Sequence, residues 1–324
     1  MATHTILGAT GTIARELIPV LQANHQQIRL VSRKPNAVEG TEALAANVLD
    51  YEQLHRAVAG SDVVYLVIGI QYDHRVWQRD WPVIMQNVIR ACQATGAKLI
   101  FFDDVYMYGR VAGQMTEETP YRPSSKKGAV RAGVAQMLQQ AMAAGTIQAV
   151  IARAVDFYGP GVRDKSAPGM WVFANLLKGR RPQWPINADV PRSFNYTPDA
   201  AKALYILATH PEAVGQVWHL PSVQPALTGR EFVKLAAKHM NESDQVRVVP
   251  KWLLKVIGWF SPFMREAYEM NYQDEFAFQF DSSKFERTFQ FTPTSYEAGI
   301  KATADWFLGK RPQPTPKVAV IDSE

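Results

Sequence analysis

Gly8, Gly11 and Ala14 stand three residues apart, where a short apolar run, Thr5-Ile6-Leu7, gives way to an amphipathic stretch beginning at Ile13. Glycine at 8 permits a tight turn, and glycine at 11 lets backbone approach a pyrophosphate. Small Ala14 lets a helix pack closely on the preceding strand. A helix opening here also turns free amides toward anionic oxygens. Strand, turn and helix in this order predict a nucleotide site at Gly8, Thr10, Gly11, Thr12 and Ile13.

The choice of nucleotide is expected at the end of the second strand. Domains of this kind that take NAD usually carry an acid there for the ribose 2′-hydroxyl. This chain has Val31-Ser32-Arg33-Lys34-Pro35 and no acid. Arg33 can pair with a 2′-phosphate and Ser32 can donate to it, which points to NADP(H) over NAD(H). Asp50, after the third strand, is placed to meet the adenine amino group. Gly69, after the fourth, offers a close backbone approach.

The elements around these residues read as an α/β chain: a doubly wound parallel Rossmann sheet with a smaller C-terminal mixed α/β substrate domain. Strands are expected at 5–7, 27–32, 43–48, 62–68, 98–102 and 148–153, with helices at 13–23, 51–59, 81–94 and 123–143. Gly96 and Gly145 follow two of these helices where a C-terminal glycine belongs. Beyond Tyr158-Gly159-Pro160-Gly161 the alternation breaks down, and helices are expected at 199–208, 229–239 and 296–307. Residues 1–155 would form the nucleotide domain and 156–309 the substrate domain, with one or two returns to the sheet. Residues 310–324 read as a mobile tail, in which Val318 to Ile321 could pair with a sheet edge or a partner chain.

Composition narrows the classes. Of 324 residues, 47% are hydrophobic and 20% charged, as in a soluble globular protein. No run reaches the length of a bilayer span, and the N-terminus lacks a signal-peptide layout. The single cysteine, Cys92, allows no intrachain disulfide and suits a reducing compartment, so the expected location is cytoplasmic. A net charge of +5 comes from scattered basic pairs with no stripe, which argues against a nucleic-acid partner. Seven histidines show no metal-ligand spacing, and no metal is expected. The anticipated partners are a nucleotide cofactor and a small-molecule substrate, without a membrane, and with a homodimer as an option.

Four motifs in order add a family resemblance. Gly8-Ala9-Thr10-Gly11 matches the glycine motif of extended short-chain dehydrogenase/reductases of the NAD(P)-dependent epimerase/dehydratase family. Val105-Tyr106-Met107-Tyr108-Gly109 resembles that family's Ser-Ser-x-x-Val-Tyr-Gly segment. Arg153 to Pro160 resembles Arg-x-x-x-x-Tyr-Gly-Pro, and Tyr196 to Ala201 resembles Tyr-Val-x-Asp-x-Ala. The resemblance covers roughly residues 3 to 308 and implies a cofactor-dependent oxidoreductase or epimerase. In the family a Tyr-x-x-x-Lys pair acts with an upstream hydroxyl residue. The tyrosine exchanges a proton with the substrate, while the lysine lowers its pKa and holds the nicotinamide ribose.

Here the chain departs from the pattern. Gly128 takes the family's glycine place, which puts Lys127 where the tyrosine belongs and Arg131 where the lysine belongs. Asp104 falls in the serine place. Tyr121 does not rescue the pair, because it precedes Pro123 and lies five residues from Lys126, off one helix face. Two readings stand. Lys127 can be the proton donor, its pKa lowered by burial and by Arg131, with Arg131 on the cofactor ribose or phosphate and Asp104 holding a substrate hydroxyl or pairing with Lys127. Alternatively both cations lie on the surface, and the chain is a non-catalytic NADP(H)-binding regulatory or sensor protein. Asp156, Tyr158 and Arg192 are expected on the substrate side, together with Trp171 and Phe194. Trp184, Trp218, Trp252, Trp259 and Phe263 are expected to be core.

Overall fold

The computed structural model describes residues 1–164 and 166–310. Expectations for the tail, including pairing by Val318 to Ile321, lie outside the described residues. The first half alternates as its apolar rhythm requires: β1 (Thr3–Leu7), α1 (Thr12–Ala23), β2 (Gln27–Ser32), β3 (Thr41–Ala45), α2 (Tyr51–Val58), β4 (Val63–Leu66), α3 (His74–Thr95) and β5 (Lys98–Asp103). After β6 (Gln114–Met115) come α4 (Lys126–Ala143), β7 (Ala149–Arg153) and β8 (Phe157–Tyr158). The second half holds α5 (Ala174–Leu176), β9 (Gln183–Pro185), β10 (Asn195–Tyr196), α6 (Thr197–Thr209), β11 (Val217–His219), α7 (Gly229–Met240) and β12 (Arg247–Val249). It closes with α8 (Lys251–Phe260), α9 (Pro262–Ala267), α10 (Tyr272–Glu275), β13 (Gln279–Phe280), α11 (Ser283–Thr288) and α12 (Tyr296–Phe307).

Seven strands form one parallel sheet in the order β11-β7-β5-β4-β1-β2-β3. The order reverses between β1 and β4, and in open α/β sheets a ligand crevice lies at the carboxyl ends of strands around such a point. The anticipated return to the sheet is β11, beside β7. One apolar layer joins α1 and α6 through Leu17, Leu21, Leu204 and Leu207, and the other buries Leu54, Trp81, Ile84 and Leu138 beneath α2, α3 and α4. Since α6 and β11 belong to the sheet body, that body reaches past residue 155. A separate core of Phe173, Trp184, Phe194, Phe232, Ile300 and Phe307 holds the second lobe.

Two expectations change. The helix expected from Trp81 begins at His74, capped by the Asp73 carboxylate on the amides of Arg75 and Val76, and Pro82 lies inside it. Of the five aromatics expected to be core, Trp184 and Trp218 are buried, but Trp252, Trp259 and Phe263 are exposed. Those three sit on the short helices α8 and α9, which are not covered by another layer of the described chain.

Candidate functional site

The turn between β1 and α1 is built for close approach. Gly8 has φ +100°, a left-handed conformation that favours glycine, and a Cβ there would stand 2.9 Å from the Ile68 Cα. Its amide donates to the Val31 carbonyl at 3.0 Å, while the Gly11 amide donates to the Gly8 carbonyl at 2.9 Å. Gly11 is itself the N-cap of α1, so the capping residue has no side chain to bond the first helical amides. Thr10 is exposed on the rim, Thr12 opens the helix, and Ile13 turns its side chain into the core.

Beyond β2 a cavity of about 470 Å³ is lined by Thr10, Ser32, Arg33 and Lys34. The Ser32 hydroxyl is buried there without a hydrogen-bond partner among the described residues, while Arg33 and Lys34 are exposed. An unpartnered buried hydroxyl beside two cations fits an anionic group on the adenosine ribose. Gly69 is exposed, with open space where its Cβ would be. Asp50 is held in place at the start of the next helix. It caps α2, with Oδ1 accepting from the Gln53 amide at 3.0 Å and Oδ2 from the Gln53 side chain at 2.7 Å.

The centre forms where α4 meets the turn after β5. The Ser125 hydroxyl caps α4 on the Gly128 amide, and a Cβ on Gly128 would lie 2.5 Å from the Tyr106 carbonyl. That close approach carries Lys127 and Arg131 inward. Lys127 is fully buried, and its ammonium donates to the Glu266 carbonyl at 2.8 Å, the Glu266 carboxylate at 2.7 Å and the Glu269 carboxylate at 2.7 Å. It also lies 4.6 Å from the centre of the Tyr72 ring. The other Glu266 oxygen meets His74 Nδ1 at 2.9 Å. Burial by itself would raise the Glu266 carboxyl, but hydrogen bonds from Lys127 and His74 outweigh it and bring the value down to about 2.

Arg131 is buried one turn further along α4. Its guanidinium donates to Asp103, with Nε at 2.9 Å from Oδ1, and pairs with Asp104 at 3.1 Å while lying over the Trp81 ring. Burial raises the Asp104 carboxyl; Arg131 opposes this, and Asp103 adds to it. Asp103 also meets Arg153 at 3.4 Å, and Arg153 in turn donates to the hydroxyls of Tyr108 and Tyr121. Tyr121 therefore serves Arg153 and Gln139, with no part in a pair with Lys126.

These contacts overturn the surface reading of Lys127 and Arg131, since both side chains are interior. They also separate the two cations: Asp104 pairs with Arg131, and Lys127 takes its own carboxylates from α9 and the turn that follows. On the substrate side, the Asp156 carboxylate accepts from the Ala167 amide at 3.1 Å and from Arg192 at 3.4 Å, and Arg192 also pairs with Asp274. Tyr158 is packed among Tyr196, Phe232 and Tyr296 in the second core, which makes it a core residue and removes it from the expected substrate set. Trp171 is half-buried and Phe194 is core.

His74, Asp103, Glu266 and Glu269 were not legible as site residues. Glu266 lies 139 positions from Lys127, and a three-residue spacing with Glu269 carries no indication of what it faces. Asp73, His74 and Glu266 bring ligand-type atoms within 4.8 Å of one another. Asp73 is engaged as a cap, however, and the Glu266 carboxylate is shared between His74 and the ammonium of Lys127, so the cluster is accounted for by protein contacts.

Comparison with known proteins follows the same lines. Residues 4–220 match the NAD dependent epimerase/dehydratase family. An uncharacterized protein, y4nL, of Sinorhizobium fredii is 25% identical over 224 residues, spanning 65% of this chain and 61% of that protein. A dTDP-glucose 4,6-dehydratase of Mycobacterium tuberculosis is 27% identical over 148 residues, 42% of this chain and 44% of its own length. The matched stretches thus span less than two thirds of either relative. Among solved structures, a UDP-N-acetylglucosamine 4-epimerase from Bacillus cereus superposes with a TM-score of 0.76 at 16% identity, covering 97% of this chain and 99% of that one. A dTDP-glucose 4,6-dehydratase from Bacillus anthracis, in complex with NAD, gives 0.77 at 14% identity, covering 95% and 97%.

Proposed function

The chain belongs to the NAD dependent epimerase/dehydratase family, and from that membership we propose that it is an NADP(H)-dependent oxidoreductase or epimerase-like enzyme with an atypical centre. Its substrate is a small carbonyl or sugar-like compound, and the names of the relatives bring nucleotide sugars into that class. The observation that carries the reading is the wholly buried ammonium of Lys127, in the place of the family's tyrosine, held by two carboxylates. A buried charge is costly to maintain, and such charges concentrate where chemistry needs them.

When bound, the nicotinamide supplies or accepts a hydride, and the chain's own groups handle binding and protons. The β1–α1 turn holds the pyrophosphate, and Ser32 and Arg33 hold the 2′-phosphate. Release of Lys127 Nζ from one carboxylate frees an N–H for a substrate oxygen. Asp104, kept toward its protonated form by burial, faces the same end of the sheet and can hold a substrate hydroxyl. Arg131 fixes Asp103 and Asp104, with the role of orienting them. Arg192 and Asp156 form the substrate wall.

One observation favours a second reading, a non-catalytic NADP(H)-binding regulatory or sensor protein. An ammonium has three N–H donors, and protein acceptors satisfy all three of those on Lys127. The two readings part on Lys127→Met, measured by NADPH titration and by turnover on carbonyl compounds and UDP- and dTDP-sugars. The enzyme keeps NADPH affinity within a few-fold and loses about 10² in turnover, the share of a general acid. NADPH binding with equal or absent turnover before and after the change selects the sensor.

A further inference from the structure

Residues 245–265 contain no acidic side chain, yet they carry Arg247, Lys251, Lys255 and Arg265. The same stretch holds the most exposed aromatic surface of the described chain. Trp252 is 66% exposed, Trp259 70%, Phe260 84% and Phe263 43%. These residues lie on α8 and α9, two short helices packed against each other where Gly258 meets the Arg265 backbone. A Cβ on Gly258 would stand 3.2 Å from the Arg265 Cα, so the hairpin is tightly joined. Leu254 and Gly258 face inward, while Trp252, Lys255 and Trp259 recur at helical spacing on the outer side.

We propose that this hairpin docks the protein on an anionic bilayer surface. Indole and phenyl rings favour the boundary between headgroups and acyl chains, and lysine and arginine beside them meet lipid phosphates. Ten- and six-residue helices are too short to cross a bilayer, and no described helix is long and apolar enough to do so, so the attachment is to one face. Self-association is disfavoured by the same charges. A two-fold dimer would place the basic patch against its own copy, where residues 245–265 supply no acid to answer it and Glu275 is already paired with Lys251 at 2.5 Å. A neutral or basic protein partner lacks the complementary charge.

The proposal is independent of the catalytic reading and is tested without substrate. The full chain is mixed with phosphatidylcholine vesicles with and without phosphatidylglycerol, followed by sedimentation and by tryptophan emission. Binding is expected only to the phosphatidylglycerol vesicles, with a blue shift in emission and a loss of binding at high salt. Trp259→Ser with Phe260→Ser should weaken it more than tenfold, and Lys255→Glu should weaken it several-fold. Thermal midpoint and NADPH affinity should stay unchanged in both, because these side chains are exposed and make none of the contacts that build the nucleotide turn. Failure of the unmodified chain to bind anionic vesicles overturns the proposal, as does equal binding by the folded variants. A dimer in light scattering that Phe260→Ser dissociates, without vesicle binding, identifies a second copy as the occupant and also overturns it.

Discussion

At the scale of single residues, the site is a set of charges each held by an identified partner. Arg33 is the exception of interest, because it extends beside the unpartnered Ser32 hydroxyl in the cavity after β2. NADPH should bind more tightly than NADH, and Arg33→Ala should remove roughly 1–3 kcal/mol of that preference, the scale of a charge-assisted hydrogen bond. Isothermal titration with both cofactors measures it, and equal affinities in the unmodified protein would refute the assignment. Lys127 has a structural effect alongside the proposed chemical one. Lys127→Met removes the cation between Glu266 and Glu269 and should cost roughly 3 kcal/mol of stability, the scale of breaking a buried pair. A urea midpoint unchanged by the substitution would show that the carboxylates are readily rehydrated.

At the scale of elements, the strand–turn–helix unit of β1 and α1 carries the nucleotide reading. A side chain at Gly11 would start 3.1 Å from the Gly8 carbonyl, at the mouth of the helix. Gly11→Val should therefore abolish measurable NADPH binding while far-ultraviolet circular dichroism remains that of the folded chain. A folded variant with unchanged affinity would reduce the turn to a connection. The helix α4 shows how one element sets two environments. Its N-terminal turn is drawn against Tyr106 by Gly128, so Lys127 meets α9 while Arg131, one turn on, meets the end of β5. Cations four apart share a helix face, yet they serve different carboxylates because different elements cross that face.

At the scale of the whole molecule, buried titrating groups make stability depend on pH with two signs. Burial pushes His4 down to about 4 and His219 down to about 3. Below their ordinary value of 6.5, the unfolded chain binds protons that the folded chain refuses, so stability falls as pH falls toward those lowered values. Glu16, pushed by burial up to about 7 from 4.5, has the opposite sign: the folded chain keeps a proton that the unfolded chain loses, and stability falls as pH rises across that window. His4→Gln isolates the first effect. Relative to this variant, the unmodified chain should lose roughly 2 kcal/mol between pH 7 and pH 5. Chemical denaturation at the two values checks it, and a constant difference would place a charged histidine in the fold.

The sequence by itself determined what depends on neighbours along the chain. The β2 strand, Gln27–Ser32, and the helix Tyr296–Phe307 were legible to the residue, and the glycine turn to its place, because apolar period and backbone freedom are local properties. Two local start signals compete in α3: Pro82 suits a first helical turn, but the Asp73 carboxylate caps the helix earlier, so it begins at His74. Tertiary structure alone decided the partners of charge. Lys127 and Glu266 are 139 positions apart, and a short spacing on either helix contains nothing about which element will cross the other. Exposure followed the same rule. Trp184 and Trp259 are equally apolar in sequence, but one lies under α7 and the other on a hairpin that nothing in the described chain covers. Hydrophobicity states what a side chain gains from burial, and only packing supplies the surface that buries it.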